Sequence, residues 1–414
     1  LYSKIFYVSS IIEISSFMST LTNIISSAES QLKPFWENLE EIKYFNQAKV
    51  LRAFQEAGLQ NSHYTWVTGY GYDDLGKEKL DEIYALAFGA ESALVRPHLV
   101  SGTHAITCAV FGNLSSGDSL ICLGEPYDTL KTVYNKLSQK FNINYQIIDP
   151  NTLEHSISSL SEGSGKILVS IQRSRGYEWR DSFDLNHIEN LITKLKSINP
   201  NLVVFVDNCY GEFTQTREPS EIGADIMAGS LIKNPGGGIV SAGAYITGRE
   251  SCVLAAAEHS TAPGIGAHGA CMFDQTRLML QGFFMAPMIV YEALKGMSLA
   301  GLVFELLGYQ TIPQFGSRRN DIIQAIKFND RDKLIKLCQI VQKYSPMNSM
   351  FSPVPAPISG YDDEIIMASG SFIEGSSIEL SCDGPLREPF VAYLQGGLSY
   401  AHTRLVLEKI IEEL

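Results

Sequence analysis

Two short runs limit what this chain can fold into more than any other feature. Residues 166–172 (KILVSIQ) and 201–207 (NLVVFVD) are apolar almost without interruption. A strand reads this way when both of its faces are covered. Between them, residues 185–198 carry apolar side chains at helical spacing. Strand, helix and strand at this separation argue for a parallel sheet with right-handed crossovers. A chain of 414 residues also exceeds what one core usually supports, so a large domain and a smaller one are expected.

The rest of the pattern fits that plan. Residues 30–57 have helical spacing, with Pro34 suited to a first turn. A Gly/Tyr-rich loop, Thr68-Gly69-Tyr70-Gly71-Tyr72-Asp73, leads to a helix over 77–88 that stops at Gly89. A buried helix opens at Ser101 and runs to about 114. Residues 119–123 read as a strand, and 237–248 as a strand or hairpin. From 248 to about 344 the pattern is mainly helical. A Pro- and Ser-rich linker over 346–360 separates it from strands near 365–373, 377–382 and 390–394, and a last helix covers 400–414. These form a small α+β module after a large α/β domain. Residues 1–17 are apolar and Ser-rich but broken by Lys4 and Glu13. They are too short to span a membrane and lack the marks of a signal peptide. With Met18 as the first methionine, they read as a leader or an added remnant outside the fold.

Composition excludes several functions. The net charge is −13 with no basic stripe, which disfavours a nucleic-acid partner, since phosphate contacts need clustered Lys and Arg. The seven Cys residues are scattered, with no C-x-x-C pair. That fits free thiols in a reducing cytoplasm better than a disulfide framework or a zinc site. His104, His259 and His268 have the wrong spacing for zinc, so no metal is expected, and no membrane association.

Four features carry chemistry. Asp207 ends the second buried run, and ligands of open α/β sheets bind off the carboxyl ends of the strands; alternatively it caps the next turn. Lys233 lies in Gly229-Ser230-Leu231-Ile232-Lys233-Asn234-Pro235-Gly236-Gly237-Gly238. Desolvated there, it would have a lowered pKa and act as an imine-forming amine; the alternative is a surface lysine before a loop. The glycines follow the lysine, the reverse of a nucleotide-binding P-loop. Ser101-Gly102-Thr103, before an apolar helix, can hold a phosphate on helix amides or simply cap the helix. Ser230 can add a hydroxyl from the other side. Tyr127, in Glu125-Pro126-Tyr127-Asp128-Thr129, offers a ring platform or a packed aromatic. An amine, an acid, a phosphate cup and a ring platform are what pyridoxal 5′-phosphate (PLP) requires of a protein.

Together these stretches resemble fold-type I PLP-dependent enzymes. More narrowly, the chain is similar to the methionine gamma-lyase-like family often labelled aluminium resistance proteins. The likeness runs from about residue 47 to the C-terminus. It is carried also by Ile171-Gln172-Arg173-Ser174-Arg175-Gly176-Tyr177, Val206-Asp207-Asn208-Cys209-Tyr210-Gly211-Glu212-Phe213, Thr261-Ala262-Pro263-Gly264-Ile265-Gly266, Asp383-Gly384-Pro385-Leu386-Arg387 and Gln395-Gly396-Gly397. The resemblance implies that Lys233 carries PLP as a Schiff base and that Asp207 pairs with the pyridine nitrogen. It implies further that Gly102, Thr103 and Ser230 hold the phosphate, with Ser101 in the same turn, and that Tyr127 stacks on the ring. In related lyases a Tyr and an Arg from a neighbouring subunit reach the phosphate. Tyr70 or Tyr72 would be that Tyr, but no Arg adjoins them, and Ile232 stands where those lyases place a Thr. The phosphate contacts therefore differ in detail. Arg387 is the expected clamp for a substrate carboxylate, since guanidinium binds it bidentately; Arg173 and Arg175 are alternatives.

The expectation is thus an α/β chain of the fold-type I PLP-dependent transferase-like class, with a mainly parallel central sheet and a smaller α+β domain. Residues 18–60 form an N-terminal helical segment, 61–300 the PLP-binding large domain and 301–414 the small domain. The implied activity is carbon-sulfur cleavage of a sulfur-containing amino acid by α,β- or α,γ-elimination, in a cytoplasmic homodimer or homotetramer with shared sites. The alternatives are aminotransfer, aldol cleavage or β-replacement, or a non-catalytic PLP-fold protein of a stress response.

Overall fold

The protein's structure, a computed structural model, describes residues 2–150 and 165–414, with side chains from residue 24 onward. A helix, α1 (Tyr2–Glu56), comes first, then α2 (Leu75–Phe88) and β1 (Ser92–Arg96). The leader expected over residues 1–17 falls where no side chain is described. The central part alternates α3 (Gly102–Phe111), β2 (Ser119–Leu123), α4 (Asp128–Phe141), β3 (Asn144–Ile148), β4 (Ile167–Gln172), α5 (Leu185–Ile198), β5 (Val203–Asp207), β6 (Ile226–Ser230) and β7 (Ala244–Gly248). Two helices, α6 (Glu250–Ser260) and α7 (Thr276–Leu306), lead to a second region. It comprises β8 (Gln310–Ile312), β9 (Ile323–Lys327), α8 (Arg331–Lys343), β10 (Ala356–Pro357), β11 (Glu364–Ala368), β12 (Ser381–Pro385), β13 (Val391–Gln395) and α9 (Tyr400–Glu413).

Helix starts follow local chemistry. The Asp74, Ser101, Asp184 and Asp330 side chains each accept a backbone N–H at the opening of α2, α3, α5 and α8, satisfying donors that a helix leaves free. Gly89 ends α2 in the left-handed region at φ 62°, where a side chain is costly.

The first sheet has seven strands in the order β1-β7-β6-β5-β4-β2-β3. The pairs from β3 through β2, β4 and β5 to β6 are parallel. β7 runs antiparallel to both β6 and β1. β4 and β5 pair in parallel across α5, as the two buried runs predict. This is the fold-type I architecture, an α/β layer structure with a mainly parallel sheet. The second sheet is antiparallel throughout, in the order β10-β11-β12-β13-β9-β8.

Three expectations are corrected. Pro34 lies inside α1 rather than in a first turn. The stretch after Gly248 is interrupted by β8 and β9, because a short apolar run such as Ile322 to Ile326 does not distinguish strand from helix by periodicity. The strand expected over 377–382 is Ser381–Pro385, preceded by turns.

α7 is long and apolar enough to cross a membrane, yet 78% of its most apolar window is buried within the protein; it is a core helix. α1 joins two cores. Its Ile25, Ala28 and Leu32 pack with the second sheet and α8, and its Leu39, Val50 and Ala53 pack with the first sheet's core.

Candidate active site

The carboxyl ends of the parallel strands face a cavity of about 520 Å³, within the range of roughly 300–1,000 Å³ common for small-molecule sites. Gln172 ends β4, Asp207 ends β5 and pairs across from Gln172, and Ser230 ends β6. Tyr127 and Gly102 open α4 and α3 at the same edge. Lys233 follows β6 by three residues. All of these line the cavity, so the structure brings together the amine, the acid, the cup and the platform.

Asp207 is buried, and its carboxylate accepts a hydrogen bond from the Cys209 backbone N–H, 3.1 Å from Oδ1. Burial pushes its carboxyl above the usual range, partly countered by that N–H and by Lys233. Lys233 Nζ sits 3.5 Å above the centre of the Tyr210 ring. Here a sequence expectation is corrected. Burial does pull the ammonium down, but Tyr210, Cys209 and Asp207 act against it and hold its pKa above that of an ordinary lysine. Neighbours that favour the charged form outweigh desolvation.

The Ser101 hydroxyl accepts the His104 N–H at 3.1 Å, so it serves as the helix cap. The first-turn amides of α3 remain free of intrahelical partners. A Cβ on Gly102 would come 3.2 Å from Cys209 Sγ and 3.3 Å from Ser230 Cβ, so a side chain here would push Cys209 or the end of β6 away by a few tenths of an ångström. Ser230 is buried at the same spot. The Thr103 hydroxyl and the Tyr127 phenol share a 2.7 Å hydrogen bond, and the Tyr127 N–H donates to Gln172 Oε1 at 2.9 Å. Burial, with Asp207 nearby, keeps the Tyr127 phenol well above its ordinary pKa, hence a neutral proton donor. A buried acid near the amine, helix amides beside a glycine and a buried hydroxyl fit PLP in charge and shape.

The three arginines separate. Arg173 lies behind the cavity, donating to Asn208 Oδ1 at 2.7 Å and to the Thr214 hydroxyl at 3.1 Å, 3.7 Å from Glu218; it braces the turn after β5. Arg387 is on the rim, half-exposed, 2.9 Å from Asp363. Arg175 is fully buried in the cavity wall. It donates to the Ile312 carbonyl at 2.6 Å and its Nε lies 3.7 Å from Asp321 Oδ2, while Nε and Nη2 have no hydrogen-bond partner among the described residues. Tyr70 and Tyr72 are outside the cavity, 75% and 50% exposed, with rings stacked at 5.6 Å.

The opposite wall comes from the second sheet. Met367, Asp383 and Tyr393 lie in one cross-strand row and Ser381, Gln395 and Ile323 in the next, and all six line the cavity. Residues of opposite parity, such as Ile366, Cys382 and Leu394, face α8 in the core, as period-two alternation requires. Asp383 is buried, with Oδ2 accepting from Gln395 Nε2 at 3.0 Å and Oδ1 unpaired. Burial raises its pKa to about 7, against the opposing pull of Tyr177, Gln395 and Lys233. Sequence reasoning assigned no role to Asp383, Tyr177, Tyr210 or Gln395. For Tyr210 the available signal was its place three residues past Asp207.

The methionine gamma-lyase family model matches residues 21–414. Uncharacterized protein YnbB of Bacillus subtilis (strain 168) is 43% identical over 397 residues, 93% of this chain and 94% of its own length. A carbon-sulfur lyase involved in aluminum resistance from Clostridium novyi NT superposes with TM-score 0.90 at 42% identity, over 98% of each chain. A Listeria innocua protein, provisionally named a cystathionine beta-lyase involved in aluminum resistance, gives 0.91 at 42%, over 95% of this chain and 98% of its own. The methionine gamma lyase CalE6 of Micromonospora echinospora shares the fold at 14% identity and TM-score 0.56, over 82% of this chain and 87% of its own.

Proposed function

Since this chain belongs to the methionine gamma-lyase family of fold-type I PLP-dependent enzymes, we propose that it is a PLP-dependent lyase cleaving the carbon-sulfur bond of an amino acid. The carrying observation is the convergence of Lys233, Asp207, Gly102, Ser230 and Tyr127 on one cavity. Residues 61–300 supply the cofactor side and 301–414 the substrate side.

Lys233 Nζ would hold PLP covalently, Asp207 would face the pyridine nitrogen, and the Gly102 and Thr103 amides with the Ser230 hydroxyl would take the phosphate. When bound, PLP supplies a carbonyl that condenses with the substrate amine and a pyridinium ring that accepts an electron pair. Asp207 keeps the ring nitrogen protonated. Lys233 Nζ would take the proton from the substrate α-carbon. Tyr127 gives its phenolic proton to the departing sulfur, and Thr103 orients that hydroxyl. Arg175, whose Nε lies 3.7 Å from Asp321, still has Nη2 free of a hydrogen-bond partner among the described residues and would offer it to the substrate carboxylate, whereas Arg387 stands half-exposed against Asp363 on the rim. Thiolate leaves readily from the β-carbon with these groups alone. Cleavage at the γ-carbon needs a further proton transfer at the β-carbon, so β-elimination is the preferred reading. The exposed Tyr70–Tyr72 pair, without a role in its own cavity, supports a homodimer or homotetramer in which this loop completes a neighbouring site.

The test is to incubate the PLP-loaded protein with cysteine, cystathionine, homocysteine and methionine. Keto acid, thiol and ammonia should appear together. If no keto acid formed, yet an amino acid and a keto acid were interconverted, an aminotransferase would replace this reading.

A further inference from the structure

We propose that Asp383 determines specificity by binding a second ammonium group, carried on the part of the substrate that leaves with sulfur. The substrate class is then a thioether bearing an amino acid head on each side of the sulfur. This rests on the lyase reading above and adds the far end of the substrate to it.

The warrant is the second wall. A buried carboxylate is costly unless a positive or hydrogen-bonding partner meets it. Gln395 donates to Asp383 Oδ2 and the Tyr177 phenol lies alongside, while Asp383 Oδ1 has no hydrogen-bond partner among the described residues. Among the described residues Asp383 forms no ion pair; Lys233 pulls on it only from beyond ion-pair distance. Its surroundings suit an ammonium. Tyr177 and Tyr393 have ring centres 5.1 Å apart, and Tyr177 and Tyr361 5.8 Å. All three rings line the cavity beside Asp383. Aromatic faces and a carboxylate both attract a cation. The same wall holds three buried hydroxyls without partners, Ser376, Ser377 and Ser381. They can donate to the carboxylate of the same distal head. An apolar methylthio group would leave all four polar groups unsatisfied.

The position also separates two jobs. Asp383 stands on β12 of the second sheet, whereas Lys233 and Tyr127, assigned to proton transfer, follow β6 and open α4 at the edge of the first. Its loss should therefore weaken the hold on one end of the substrate and leave the chemistry at the other end intact.

The experiment uses PLP-loaded wild type and Asp383→Asn, which preserves shape. Three compounds are compared: L-cystathionine, the same molecule acetylated on its distal amine, and S-methyl-L-cysteine. Kinetics and calorimetric binding are both measured. In wild type, KM and the dissociation constant should be roughly 10–100-fold lower for cystathionine than for the acetylated compound. In Asp383→Asn that ratio should collapse to within about threefold, a coupling of the kind a double-mutant cycle isolates. S-methyl-L-cysteine should be handled alike by both proteins. An equal fall in kcat for all three compounds would overturn the proposal, as would a wild type indifferent to acetylation. If wild type cleaved none of them, the lyase reading would fall, and the calorimetric ratio would still decide for or against Asp383.

Discussion

The two walls of the cavity are built by opposite means. On the first, residues close in sequence arrive together at strand ends. Asp207 accepts from Cys209, Thr103 meets Tyr127, and Ser101 caps its own helix. On the second, Ser381, Asp383, Tyr393 and Gln395 become neighbours only through cross-strand register, and several of their polar atoms are unpaired. A wall whose groups largely satisfy one another suits a fixed cofactor. A wall with open valences suits a ligand that comes and goes.

Substitutions should divide along that line. The largest effect belongs to Lys233→Ala on the first wall, with turnover falling on the order of 10⁴-fold, the upper end of what a general base contributes. Borohydride should bleach the yellow of the wild type and leave a reduced adduct on Lys233 in peptide maps. An adduct on another lysine would dissolve the comparison by removing its first wall. Asp207→Asn should keep the fold and lower kcat by roughly 10²–10³. Turnover at the wild-type rate would make Asp207 a turn residue only.

The second wall should show binding effects. Arg175→Ala, at its edge, should raise KM by about tenfold or more, because a desolvated charge-assisted contact is lost. Arg387→Ala should change KM by less than about threefold, since the Arg387–Asp363 pair is half-exposed. The reverse ranking in steady-state kinetics would move the carboxylate clamp to the rim.

The smallest effect concerns stability without ligand. The Asp383 pKa is raised from 3.8 to about 7, so between those values the folded state holds a proton that the unfolded state has lost. This group's contribution therefore declines as pH rises from about 4 to about 7. Tyr177, Tyr361, Tyr393 and Lys233 face it, and none forms an ion pair with it. Asp383→Asn should be more stable to unfolding than wild type at pH 8, by on the order of a few kcal/mol in denaturant titrations, with the gap closing toward pH 4. A gap independent of pH would mean that Asp383 is not a buried, unpaired acid.

The same contrast explains what the sequence made legible. Helix 185–198 and strand 119–123 follow from periodicity and match their observed bounds. The Asp207 and Lys233 placements follow from strand ends. Nothing local marks Asp383. Its strand, Ser-Cys-Asp-Gly-Pro, has little β-propensity, and its importance lies in β13 opposite. The Lys233 pKa was misjudged for a related reason: burial is readable from apolar neighbours, but Tyr210 beneath the ammonium is a matter of turn geometry, with φ 72° at that residue.

α1 belongs to both cores, and this has a mechanical consequence. It is clamped to the second sheet's core through Leu32 and to the first sheet's core through Leu39, with Phe35 and Trp36 touching both; Trp36 also donates to the Ser298 hydroxyl on α7 at 2.8 Å. The helix is a strut that fixes the spacing of the two cores. Any change in that spacing must bend or shift α1 between Leu32 and Leu39, where Pro34 withholds one backbone donor.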